Sequence, residues 1–229
     1  MALTAKQENK FLHSSLFSGC DIKGFHRLTQ IMMPFSLLKG ENLQELQKEE
    51  TMGFLLSGKL EVTNLRGVLY YNICPGEFIG VEDLFSEVLP VVECCVKAKT
   101  NSVLTFLKKQ QLRDLLEENA TIRENYLTML ADQVHHSVNR LQQFTAPTPG
   151  IALGMYLMQH EVQGIVRLVD GFAGLARRLN VSRATLYRSL AELEGLQLIS
   201  HMEKTITILD TKRLHGYVHM QPDIAALLD

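Results

Sequence analysis

Between Pro34 and Leu107 the apolar positions come in short runs: Gly53–Leu56, Lys59–Thr63, Val68–Ile73, Phe78–Gly80, Val91–Ala98 and Val103–Leu107, separated by Gly, Asn and Pro. Runs this short and this closely punctuated predict strands, and several in succession predict an antiparallel sandwich or barrel. The period then changes. Gln110–Glu118 is short and amphipathic, and from about Thr121 to Phe144 the residues Leu127, Leu130, Val134, Val138 and Leu141 recur every three or four positions. That spacing places them on one stripe of a long helix. Such a stripe packs either on the core of its own domain or against a parallel copy of itself.

The segment Phe144 to Gly150 holds Pro147, Pro149 and Gly150, a composition that ends a helix, and a hinge is expected at residues 145–150. Beyond it Ile151–His160 reads as a helix and Ile165–Val169 as a strand. Asp170 is expected to cap a short helix reaching Leu179, and Ser182 to cap a second reaching about Glu194. Leu198–His201 and Thr205–Leu209, joined by Met202, Glu203 and Lys204, predict a β-hairpin.

The two capped helices have the pattern of a helix-turn-helix. Leu175, Ala176 and Leu179, then Val181, Leu186, Leu190 and Leu193, form a buried set at helical spacing, with Asn180 in the turn, where a left-handed backbone is tolerated. Ser182, Arg183, Ala184, Thr185, Tyr187 and Arg188 remain near the start of the second helix, mostly on its outer side. Arginines there suit bidentate contacts to guanine O6 and N7 in a major groove. Helix-turn-helix proteins generally read two half-sites about one DNA turn, ~34 Å, apart, which favours a dimer through the long-helix stripe.

Composition sharpens this picture. With 229 residues and 46% apolar content, the chain can bury one large core or two smaller ones. Its net charge is −2, but Ile165–Arg213 carries eight Lys and Arg against five Asp and Glu, so positive charge concentrates on the predicted DNA reader. The first residues lack a basic run followed by an apolar stretch, and no window has the roughly 18 apolar residues of a membrane span, so a cytoplasmic protein with no membrane partner is expected. Cys20, Cys74, Cys94 and Cys95 form no CxxC pair, which points to reduced thiols.

The run Val181 to Ser200 closely resembles the recognition helix and wing of the CRP/FNR family, with Ser182, Arg183, Thr185, Arg188, Leu193, Glu194, Leu198, Ile199 and Ser200 in family register. Upstream, Gly76-Glu77-Phe78-Ile79-Gly80 resembles the glycine-rich turn of the family's cyclic-nucleotide-binding barrel, and Ser57-Gly58-Lys59 the strand turn before it. The likeness covers about Phe35 to Leu214. It implies an α+β chain: an N-terminal antiparallel β jelly-roll at residues 1–118, a dimerisation helix at 119–144, the hinge, and a winged helix-turn-helix at 151–229. It also implies a homodimer on a palindromic operator in double-stranded DNA, with RNA polymerase as a further partner. Arg183 and Arg188 would then contact base edges, Ser182 and Thr185 phosphate or base, and Lys204 the backbone. One departure matters. The position after the first arginine, usually glutamate, is Ala184, which offers thymine a methyl contact and cannot accept from cytosine N4, so an altered operator is expected.

Departures in the barrel bear on the effector. Where the family's cyclic-nucleotide binders place a glutamate for the ribose, this chain has Val81, and the later phosphate-binding arginine region, Leu89 to Cys95, has no basic residue. A cyclic phosphate would lose its charge-assisted partner, which argues against cyclic AMP in the usual pose. Phe78, Ile79, Gly80, Val81, Val91, Val92, Val134 and His135 remain as the candidate effector pocket, which accepts an uncharged small molecule or is filled by side chains. Haem through His135 stays open. Redox sensing through Cys94 and Cys95 competes with their being buried and inert on a strand. An N-terminal iron–sulfur centre needs more cysteines than Cys20. Catalysis is not expected: there is no GxSxG, and no histidine from Arg27 to Val134 to furnish a cupin-type metal site. A dimer that binds DNA without any effector is the remaining alternative.

Overall fold

The computed structural model describes residues 2–43, 50–82, 84–87 and 94–219, and the chain divides into two compact units between His136 and Ser137. Among the described residues of the first unit lie β1 (Phe35–Leu37), β2 (Thr51–Ser57), β3 (Leu60–Asn64), β4 (Leu69–Ile73), β5 (Phe78–Ile79), β6 (Cys94–Ala98) and β7 (Ser102–Lys108). They form two antiparallel sheets, ordered β1-β7-β2-β5 and β4-β3-β6. The antiparallel β-rich architecture matches the reading from sequence. Of the predicted run Val91–Ala98, Val91 to Glu93 lie outside the described residues.

Period-two alternation on β2 and β7 separates two cores. Leu55 and Leu104 join Leu37, Leu60, Val62, Ile73, Ile79 and Ala98 between the sheets. Met52, Phe54, Leu56 and Leu107 point the other way, into a core shared with helices. Gly53 is needed at the β2–β5 pairing, because a Cβ there would lie 2.7 Å from Ile79 Cγ2.

The helical core is the main feature that the sequence pattern did not disclose. α1 (Ala5–Leu12) supplies Phe11 and Leu12, and a following 3-10 turn (Ser15–Phe17) supplies Leu16 and Phe17. Phe11 meets Phe17 and Phe54 edge-on, each with ring centroids 5.2 Å apart. α2 (His26–Ile31) and α3 (Lys109–Glu118) follow in chain order, α3 adding Leu112, and α4 (Ala120–Phe144) adds Ile122 and Tyr126.

The second unit contains α5 (Pro149–His160), β8 (Ile165–Arg167), α6 (Gly171–Arg178), α7 (Arg183–Gly195), β9 (Ile199–Met202), β10 (Thr205–Ile208) and α8 (Thr211–His219). Its antiparallel sheet runs β8-β10-β9, so the predicted hairpin is present with a short β8 beside it. Leu153, Leu157, Leu175, Leu186, Leu190, Leu193, Ile206 and Leu214 meet in one core. α5 starts inside the segment expected as hinge. The Thr148 side chain accepts from Ile151 N at 3.2 Å and Pro149 takes the first helical position, where a missing N–H costs nothing. Only Thr145, Ala146 and Pro147 therefore separate the end of α4 from the capping residue of α5.

Candidate nucleic-acid interface

The turn between α6 and α7 is built by main-chain hydrogen bonds that the sequence makes possible. Asn180 takes φ 55°, Asn180 N donates to Arg177 O at 3.2 Å, and Val181 N donates to Ala176 O at 3.0 Å. This is a Schellman closure with asparagine in the left-handed position, and it satisfies carbonyls that the helix end would leave bare. The same closure ends α7: Gln197 takes φ 56°, Gln197 N donates to Glu194 O at 2.8 Å, and Leu198 N donates to Leu193 O at 3.0 Å. Asp170 stands at the N-cap position of α6 but makes no side-chain capping hydrogen bond, which corrects the expected role. Gly174 N donates to the Asp170 carbonyl instead, at 3.3 Å.

Ser182 does cap α7. Its Oγ accepts from Thr185 N at 3.0 Å and lies 2.8 Å from Thr185 Oγ1, while Arg188 Nη2 donates to Thr185 Oγ1 at 3.4 Å. Leu186, Leu190 and Leu193 are buried, whereas Ser182, Arg183, Ala184, Tyr187 and Arg188 are exposed and Thr185 is half-buried. One end of α7 therefore presents two guanidinium groups, a hydroxyl and an aromatic ring to solvent, while its other face is locked into the core. Tyr187 packs on Phe172 with centroids 5.7 Å apart, and Phe172 meets His201 of β9 edge-on at 5.4 Å. His201 is held by Glu194, whose Oε1 lies 2.8 Å from its Nδ1 and accepts from His201 N at 2.9 Å. Phe172 thus joins α7 to the hairpin, a role unnoticed in the sequence although an aromatic residue opposite Tyr187 on the preceding helix was a readable sign. At the hairpin turn Glu203 takes φ 51° and Lys204 is exposed.

The residues proposed for an effector are dispersed. The turn itself matches the glycine-rich pattern: Gly76 and Gly80 take φ 105° and 74°, Gly76 N donates to Leu55 O at 2.8 Å, and Cys74 N donates to Glu77 Oε2 at 2.7 Å. Ile79 belongs to the core between the sheets, whereas Val81 is buried in the helical core and Phe78 packs against it. Val134 and His135 are exposed on α4, and Val91 and Val92 lie outside the described residues. What reaches the turn is Tyr126, whose hydroxyl donates to Val81 O at 2.8 Å. Burial, reinforced by the charge of Glu82, pushes the Tyr126 phenol up to about 12, so it stays a donor at neutral pH. Gln133 Nε2 also donates to Glu82 Oε1, at 3.3 Å. Cys94 is exposed and Cys95 half-buried at the start of β6, so neither has the buried setting expected, and Cys95 Sγ donates to Asn42 Oδ1 at 3.5 Å.

On α4 the predicted stripe splits. Leu130 turns with Ile122, Tyr126 and Met129 toward the helical core, since Tyr126 is four positions from Ile122 and Met129 and Leu130 are three and four from Tyr126. Leu127 (59%), Val134 (62%), Val138 (46%) and Leu141 (62%) are exposed. No described helix is long and apolar enough to cross a membrane.

No protein-family model matches the chain, and no curated protein does. Solved structures do. FixK2 from Bradyrhizobium japonicum aligns with a TM-score of 0.59 at 16% identity over 83% of this chain and 99% of its own. A mutant of CooA from Carboxydothermus hydrogenoformans aligns with a TM-score of 0.66 at 12% identity over 82% and 88%. A transcriptional regulator of the CRP/FNR family from Eubacterium rectale aligns with a TM-score of 0.54 at 13% identity over 95% and 96%. From the β-rich first unit to the hairpin of the second, the fold of this chain is that of the CRP/FNR transcription regulators.

Proposed function

We propose that this chain is a sequence-specific DNA-binding transcription regulator of the CRP/FNR type, acting as a homodimer on a palindromic operator. The observation that carries the reading is the start of α7: Ser182 caps the helix, its apolar face is buried, and Arg183 and Arg188 project from the exposed side. Such a helix enters a major groove with its N-terminal residues at the base edges. Arg183 and Arg188 read bases, Ser182 and Thr185 hold phosphate or base, Tyr187 and Ala184 make apolar contacts, and Lys204 binds the backbone. The exposed Leu127, Val134, Val138 and Leu141 support pairing with a second copy through α4, since apolar surface in a row gains free energy when covered. In a cell this protein works in the cytoplasm with RNA polymerase.

Selection of bound duplexes from a random DNA pool tests the reading. A two-fold symmetric site with half-sites about one helical turn apart is the expected result. Enrichment of no sequence removes the reading.

Control by a small uncharged effector belongs to the same proposal, supported by the Tyr126–Val81 and Gln133–Glu82 hydrogen bonds, which give the glycine-rich turn a direct hold on α4. An effector shifts DNA affinity only by as much as it prefers one arrangement of these contacts over the other. A thermal-shift panel that includes cyclic AMP and haem separates this from a constitutive dimer, because a ligand at 100 times its Kd adds ~2.7 kcal/mol.

A further inference from the structure

The chain has eight histidines, and four of them are committed to hydrogen bonds. His13 Nδ1 bonds Asn9 O at 2.8 Å, and His26 Nδ1 bonds Glu8 Oε1 at 2.8 Å. His160 Nδ1 bonds Tyr156 O at 2.9 Å while its Nε2 faces Arg178 Nη2 at 3.2 Å, and His201 Nδ1 bonds Glu194. His135 and His136 are exposed but adjacent in a helix, so their side chains leave the axis about 100° apart and cannot share one ion. His215 and His219 differ from all of these. They stand four residues apart on α8, both exposed, with ring centroids 4.2 Å apart and planes inclined by 45°. Among the described residues neither ring has a hydrogen-bond partner, so the ring nitrogens are available.

We propose that His215 and His219 form a two-histidine chelate for a first-row divalent transition metal of the imidazole-preferring class, Cu²⁺, Ni²⁺ or Zn²⁺. Two imidazole nitrogens bound to one ion at about 2.0–2.1 Å stand roughly 3 Å apart, a separation that neighbouring rings one helical turn apart reach by small side-chain rotations. Among the described residues no group of three or more His, Cys, Asp or Glu is arranged to hold a metal ion, so the two imidazoles are the ligands proposed for this site. The location adds a second favourable term: His219 lies in the last turn of α8, where the helix dipole favours positive charge. The anchor is rigid, because Leu214 and Val218 on the same helix are buried and the Tyr217 hydroxyl donates to Glu192 Oε1 of α7 at 2.6 Å. An ion bound here ties α8 into its helical form and stabilises the unit that carries α7.

The test uses the full, untagged chain with CuCl₂, NiCl₂ or ZnCl₂. Electron paramagnetic resonance with one equivalent of Cu²⁺ is expected to show two nitrogen ligands in the wild type, and one in His215→Gln or His219→Gln. Each single replacement weakens affinity on the order of ten-fold or more, because the second imidazole acts at high effective concentration. Affinity should be highest for Cu²⁺. His135→Gln/His136→Gln leaves the wild-type signal unchanged. A two-nitrogen signal that survives His215→Gln/His219→Gln, or single replacements that merely halve the amount of metal bound, would overturn the proposal.

Discussion

α4 and α7 are both amphipathic, yet they dispose of their apolar faces differently. In α7, Leu186, Leu190 and Leu193 are buried against α5, α6 and the hairpin of the same chain, and the outward side carries arginines. In α4, Ile122 and Tyr126 are buried, but a second apolar row, Leu127, Val134, Val138 and Leu141, faces solvent. α7 buries its apolar face on residues of its own unit, whereas α4 leaves an apolar row exposed among the described residues, the row that the proposed dimer would cover. Apolar periodicity alone announces both helices and cannot say which row has a partner within the chain.

Mutations break this comparison in order of size. Leu190→Ala removes a fully buried side chain and should destabilise the protein by about 2–5 kcal/mol, read from chemical denaturation. Leu141→Ala should weaken self-association by about 1.5–3 kcal/mol per chain in sedimentation equilibrium, with little change in stability at concentrations where the chain is monomeric. If Leu141→Ala destabilised the isolated chain as strongly as Leu190→Ala, the exposed row would be core and the contrast would fail. Ser182→Ala should cost about 1 kcal/mol through loss of the cap that Thr185 N uses, visible as a lower melting temperature.

The elements legible in the sequence were those with a strong period or a terminal signal. The strands around Gly53, Leu60 and Val103, the capping Ser182 and the left-handed Asn180 were all readable because alternation, hydroxyl caps and turn residues act locally. α1 escaped because two turns with apolar residues only at the end show no period. Its signal was the Thr4–Gln7 capping box, with Thr4 N donating to Gln7 Oε1 at 2.9 Å and Gln7 N to Thr4 Oγ1 at 3.4 Å. Pro149 and Gly150 read as breakers because composition does not distinguish a helix end from a helix start. Leu130 shares its period with the exposed row, and only the three-dimensional position of the barrel draws it inward. The exposure of Cys94 was hidden because a strand's sequence does not say which face the fold covers.

Whether the outer start of α7 reads base edges is tested by the affinity of wild type and Arg188→Ala for the selected operator and for its single-base-pair variants. Arg188→Ala is expected to cost about 1–3 kcal/mol on the operator and to flatten discrimination at one base pair of each half-site. An unchanged affinity and an unchanged base preference would contradict that role.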